Sequence, residues 1–292
     1  MVSLFKNSGF WLKLMWFIVI TIVFTMIFSV LTTLSASIIF GKKNVISMSV
    51  EALQYSQSLL SVGIFIMPAV FFAFFFRDKN VFNALALNKA PKLKSLLISI
   101  ALMVVSMPMV SFLEEINLAM KLPKFLSSLE DWMRSEEETA KMLTEKLLVG
   151  QTFSRYLINI LVIALIPAIG EELFFRATIQ KNLLAESANI RGWLCVLISA
   201  AVFSSGHLQF FGFLPRFLLG ALLGFMLLYT KSLWVPVICH FFNNFMATTA
   251  FYIKSDDKVV EQSQFMEYTA VIILSALLTI FLVYLLAKIE KK

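Results

Sequence analysis

Long apolar runs constrain this chain more than any motif does. A helix needs roughly 20 consecutive apolar residues to cross a bilayer core of about 30 Å. Scanning for such runs marks eight spans: 10–40, 56–76, 95–113, 153–175, 192–207, 211–229, 233–253 and 266–287. Backbone polar groups inside lipid must be paired within their own segment, so the expected fold class is all-α, a polytopic membrane protein of about eight transmembrane helices. Composition agrees: 59% of the 292 residues are hydrophobic and 15% are charged, where soluble domains carry roughly 25% charge. Thirty Phe against ten Gly and seven Pro exclude a disordered, collagenous or repeat-array chain. The first apolar run follows Lys6 and Lys13 and exceeds the roughly 7–15 residues of a cleavable signal, which makes it an uncleaved anchor.

The net charge of +7 would suggest a nucleic-acid partner in a soluble protein. Here its placement explains it. The link between spans two and three carries Arg77, Lys79, Lys89, Lys92 and Lys94 against Asp78 alone, which assigns it to the cytoplasm by the positive-inside rule. The next link, 114–150, holds eight acids and five bases and falls outside. Lys181 and Arg191, then Lys231, then Lys288, Lys291 and Lys292 recur on the inner side. Both termini are therefore expected in the cytoplasm of a cytoplasmic-type membrane. The partners implied are a lipid bilayer and a membrane-associated protein or peptide, with no nucleic acid. Cys195 and Cys239 lie in apolar runs and are expected as small hydrophobes, not a disulfide.

Four regions follow: a three-span segment 1–113, a link 114–150, a polar-marked core 151–255, and a last span with tail 256–292. The link has the pattern of an amphipathic helix, with Phe125, Leu129, Trp132, Met133, Leu143 and Leu147 among acids. That pattern fits an interfacial connector; a lid over a site is the sharper alternative. No internal repeat and no matched pair of Gly/Pro-broken spans points to a transporter.

Ionisable groups inside spans cost on the order of 2.5–3.5 kcal/mol each on insertion scales, so each needs a reason. They fall in the second half of the chain. Glu171 and Glu172 end an apolar run, and Arg176 lies four residues after Glu172, on the same helix face. Glu171 points about 100° away from that face. One carboxylate is thus neutralised by Arg176 and the other is a candidate base. Phe203 and His207 are four apart, as are His240 and Asn244, and these are the chain's two His. Each pair alone fits an interhelical hydrogen bond or ion-pair clasp. Together they supply a base, two imidazoles and a neutral donor.

Several proteolytic chemistries fail on inspection. There is no HExxH zinc pair. Asp78, Asp131, Asp256 and Asp257 all lie in polar connections, which removes a two-Asp mechanism. Ser204 and Ser205 lack a G-x-S-x-G elbow. Cys239 diverges by about 100° from its neighbour His240. Glutamate-activated water is left, with or without a metal.

The three motifs, Glu171-Glu172-Leu-Phe-Phe-Arg176, Phe203-Ser-Ser-Gly-His207 and His240-Phe-Phe-Asn-Asn244, resemble the type II CAAX prenyl protease and bacteriocin-processing family of intramembrane endopeptidases, also called CPBP or Abi. The resemblance covers about residues 153–253. It implies Glu171 as general base, His207 holding the attacking water, and Glu172 with Arg176 supporting the site. His240 and Asn244 would stabilise the oxyanion. It also implies a cavity opening toward the cytoplasm. No cofactor is the favoured expectation; Zn²⁺ held by Glu171, His207 and His240 is the alternative. At 1.5 Å per residue, His207 lies about 24 Å past Arg191, too deep for a straight span beside the other site residues. Outside the endopeptidase reading stand two others: a proton-coupled transporter, and a non-catalytic bacteriocin-immunity or scaffold protein.

Overall fold

The computed structural model describes residues 6–76, 80–148, 152–254 and 269–291. Arg77, Asp78, Lys79, Asp256, Asp257 and Lys292, used in the charge reading, lie outside these, as do residues 266–268 of the last expected span and the junctions at 150–151 and 255–256. No strand occurs among the described residues. Nine helices carry the architecture: α1 (Phe10–Phe40), α2 (Val50–Phe76), α3 (Leu93–Ala119), α4 (Ser127–Leu148), α5 (Phe153–Ala185), α6 (Gly192–Ser205), α7 (Phe213–Thr230), α8 (Trp234–Lys254) and α9 (Thr269–Glu290).

Six of these, α1, α2, α3, α5, α9 and the stretch Phe210–Thr230 containing α7, are long and apolar enough to cross a membrane. The other two expected spans differ in instructive ways. Trp234–Lys254 has the length but carries His240, Asn243 and Asn244. Gly192–Ser205 has only 14 residues, about 21 Å of helix. Both departures fall where the polar motifs sit. In the 114–150 link, residues 114–119 continue α3, and the amphipathic helix begins at Ser127.

Burial sorts the helices into layers. Half of the apolar window of the α7 stretch and 39% of that of α5 are buried in protein, against 11% for α1 and 17% for α9. Helices α5 and α7 therefore form the centre, and α1 and α9 present Leu, Ile and Phe outward, as lipid contact requires. Phenylalanine fills the seam between α1, α2, α5 and α6: Phe17, Phe72, Phe174, Phe175 and Phe203 form one buried cluster. Cys195 and Cys239 are buried and free, as expected.

The close approach of α5, α6 and α7 depends on two glycines four apart on α7. A Cβ at Gly220 would meet Phe203 and Ala200 of α6 at 3.0 and 3.3 Å, and one at Gly224 would meet Gln180 of α5 at 2.8 Å and Val196 of α6 at 2.9 Å. Small residues at this spacing let helix backbones touch in lipid, where packing replaces the hydrophobic effect as the driving force.

Candidate active site

Helix α5 leaves regular α geometry twice, over Ile160–Leu165 and again over Glu172–Ala185, where it widens to π geometry. Such wide turns re-aim side chains and recur at functional sites. The second begins at the glutamate pair. Glu172 is fully buried, and its Oε1 lies 2.9 Å from Nη1 of Arg176, which is also buried. Arg176 donates from Nη2 to the Gly220 carbonyl at 3.2 Å, and its guanidinium stacks on the Phe203 ring at 4.5 Å. One turn on, Gln180 Nε2 donates to the Gly224 carbonyl at 2.9 Å. The two α7 glycines thus admit two polar side chains of α5 to backbone acceptors.

The same Glu172 oxygen accepts from His240 Nδ1 at 2.9 Å. The chain Arg176–Glu172–His240 fixes the imidazole and turns its Nε2 toward the cavity, where Glu171 Oε2 lies 3.8 Å away. Adjacent carboxylates therefore reach opposite edges of one ring. Glu172 has no exposed surface, while the Glu171 side chain keeps 13%. The second Glu172 oxygen, Oε2, has no hydrogen-bond partner among the described residues.

His207 lies just past the end of α6, not within a span. Its Nδ1 is 2.9 Å from the Phe203 carbonyl. A carbonyl only accepts, so Nδ1 carries the proton and Nε2 is left as an acceptor. Phe203 is the common neighbour: its ring meets Phe175, His207 and His240 edge to face, at 5.2, 4.9 and 6.2 Å. Helix α6 stops at Ser205, and the His207 imidazole hangs in a turn that is held from other helices. Asn117 of α3 donates to the Phe210 carbonyl at 3.0 Å and accepts from the Leu214 N–H at 2.7 Å. Arg216 clasps Gln209 through two bonds of 2.8 and 2.6 Å.

Asn244 sits one turn beyond His240. Its Nδ2 donates to the Ile163 carbonyl at 3.4 Å, and its Oδ1 accepts from Asn243 at 3.3 Å. Proline lacks an N–H, so Pro167 cannot supply the i+4 partner of that Ile163 carbonyl. Asn244 takes its place.

Glu171, His207, His240 and Asn244 all line one cavity of about 430 Å³. Its lining includes Glu171, Leu223 and His240, which keep little or no exposed surface. It is also lined by Asn243, Pro167, Gln57, Thr144, Leu148 and Phe251, of which Thr144 and Leu148 belong to α4. Helix α4 is more than a connector at this place. Its Glu137 accepts from the Phe211 N–H at 3.3 Å, and Arg134 stacks on the Phe211 ring at 4.3 Å, tying it to the turn that carries His207. The loops bearing Lys89, Lys181 and Lys231 are at the opposite end. The charge pattern, which assigns α4 to the outside, and the cytoplasmic mouth implied by the family resemblance are therefore in conflict.

Other nucleophiles are occupied or remote. Ser204 Oγ donates to the Phe213 carbonyl at 2.7 Å, and Cys239 packs among Leu222, Leu223 and Val235 away from the cavity. Among the described residues no group of three His, Cys, Asp or Glu is placed to hold a metal ion. Glu171, His207 and His240, the residues of the zinc alternative, share one cavity. Asn243, Gln180, Gln57 and Asn117 were not among the motif residues. A polar residue inside an apolar run was their only signal, and many such residues simply bond to a neighbouring backbone.

The fold and site define a helical membrane protein with a buried arginine–carboxylate–imidazole array behind a second, cavity-facing carboxylate. Residues 153–246 match the family model described as Rce1-like, type II CAAX prenyl endopeptidase. The match contains all three motifs and agrees with the resemblance they carry. No curated protein and no solved structure matches the chain.

Proposed function

We propose that this protein is an intramembrane endopeptidase that cleaves a membrane-associated or lipidated chain with water activated by Glu171. The observation that carries this is the gathering of Glu171, His207, His240 and Asn244 on one cavity, with Arg176 and Glu172 behind His240. The match to an endopeptidase family over the same residues supports it.

The roles follow from what surrounds each group. Glu171, the carboxylate left in contact with the cavity, takes a proton from water held by His207 Nε2. The water oxygen bonds to the substrate carbonyl carbon, and the carbonyl electron pair moves onto oxygen. Asn244 Nδ2–H and His240 Nε2–H, the latter when protonated, donate to that oxyanion. The C–N bond then breaks, the proton held by Glu171 passes to the leaving nitrogen, and an amine and a carboxylic acid are released, the acid giving its proton to the amine in water to leave a carboxylate and an ammonium. Glu172 and Arg176 act through His240, as positioning residues.

Eight spans with both termini in the cytoplasm remain our topology, the two short or polar helices completing the six that qualify by length and composition. In that topology the mouth lined by Thr144 and Phe251 faces the extracytoplasmic side, which favours a secreted or surface precursor over a prenylated cytoplasmic protein. The test is incubation of purified wild type and Glu171→Gln with membrane-tethered peptide libraries, with and without chelator. Cleavage by wild type alone, unaffected by chelator, is expected. If neither protein cuts any peptide while both fold, the transporter and the non-catalytic readings take precedence. Loss of activity with chelator would overturn the metal-free mechanism.

A further inference from the structure

A second polar cavity, of about 610 Å³, lies at the lysine-rich end of the bundle and touches none of the residues discussed above as catalytic. Its walls carry four lysines, Lys6, Lys89, Lys181 and Lys231, against one acid, Glu186, which pairs with Lys181 at 3.3 Å. It adjoins a smaller space of about 290 Å³ that shares Lys181 and Lys231 and is floored by Leu227 and Leu228.

The walls are built, not incidental. The segment Ala84, Leu85 and Ala86 is buried although it lies in a connection. It is strapped to the turn after α7: Leu233 N–H donates to the Ala86 carbonyl at 2.9 Å, Ser232 Oγ to the Lys89 carbonyl at 2.6 Å, and Trp234 Nε1 to the Leu87 carbonyl at 2.9 Å. Lys89 Nζ donates back to the Thr230 carbonyl at 2.5 Å, which sets the position of its ammonium. Ala86 and Lys231, facing each other across this seam, both hold left-handed backbone, with φ of 55° and 56°. Neither is glycine, so tertiary packing must hold both, a pattern that clusters at binding sites. Partial burial, and then the like charge of Lys89, keep the Lys231 ammonium below the usual lysine range. The charge that acts on Lys231 is thus another cation. An anion seated between the two would be attracted to both.

We infer that this cavity binds a phosphate group, and that its source is the headgroup of an anionic phospholipid. Phosphate suits ammonium groups as point charges, and the basic end of a membrane bundle is where anionic headgroups lie. The leucine-floored annex accepts the apolar part that a free phosphate lacks. The inference is independent of the protease reading.

The experiment measures lipid retention by native mass spectrometry and the thermal midpoint, with phosphatidylglycerol, phosphatidylcholine, glycerol phosphate and inorganic phosphate as probes. Wild type is expected to retain phosphatidylglycerol at least tenfold more tightly than phosphatidylcholine and to gain several degrees in midpoint. Lys89→Gln combined with Lys231→Gly should abolish both effects. Lys231→Gly alone should lose part of the retention while keeping the midpoint in neutral lipid, because glycine is at home at that φ. Lys94→Gln, in the first turn of α3 and outside the cavity, should behave as wild type. If glycerol phosphate or inorganic phosphate gives the full shift and phosphatidylglycerol adds nothing, the phosphate site stands and its source is soluble. An equal response from the double variant and wild type, an equal loss in Lys94→Gln, or no response of wild type to any probe overturns the inference.

Discussion

Glu171 and Glu172 are chemically identical and adjacent, and their surroundings divide the work between them. Glu172 lies between Arg176 and His240 with no surface exposed, so its charge is committed to structure. Removing it leaves a buried guanidinium without its counter-charge, and breaking one side of a buried pair costs about 3–5 kcal/mol. Glu172→Gln is therefore expected to lower the thermal midpoint sharply in detergent or nanodiscs. Arg176→Lys should not rescue it: an ammonium cannot reproduce both the Gly220 hydrogen bond and the stacking on Phe203. Glu171→Gln should leave the midpoint near that of wild type while cutting peptide hydrolysis by at least about a hundredfold, the scale of a general base. A large stability loss in Glu171→Gln, or none in Glu172→Gln, would reverse the two assignments.

At the scale of elements, the site depends on helices that break their own regularity. Pro167 frees the Ile163 carbonyl, which Asn244 then holds; α6 ends early and leaves His207 in a turn; Gly220 and Gly224 let α7 reach the side chains of α5. Gly220→Val is expected to force α6 and α7 apart and cost about 1–3 kcal/mol as an overpacking change, with loss of activity, readable in the thermal midpoint and in hydrolysis together. Helix α4 makes a separate prediction. Thr144→Trp narrows the cavity mouth without touching the catalytic groups. It should reduce cleavage of bulky substrates more than of short peptides, with the midpoint preserved. Equal effects on both substrate sizes would return α4 to the role of a connector.

For the whole molecule, the open matter is which face of the bilayer the cavity meets. Single cysteines placed at Lys89 and at Lys121, in a background without Cys195 and Cys239, report it through a membrane-impermeant thiol reagent applied to intact cells. Labelling at 121 alone is the expected result, with 89 reached only after permeabilisation. The reverse pattern would move the mouth to the cytoplasm and overturn the charge-based topology. Much of the architecture was legible beforehand because its cause is local and additive. Apolar runs dictate helices in lipid, and the i, i+4 spacing that pairs Glu172 with Arg176 is a property of any helix. His207, His240 and Asn244 also stood out beforehand, because so few polar residues stand in so apolar a chain. What no local pattern could supply was the link between Glu172 and His240, 68 residues apart, which joins two motifs into one array. Nor could it supply the direction of the cavity, the early end of α6, or the lysine-walled pocket assembled from four separate segments. Each of these is a relation between helices, and it arises only when packing has brought distant parts of the chain within hydrogen-bonding reach.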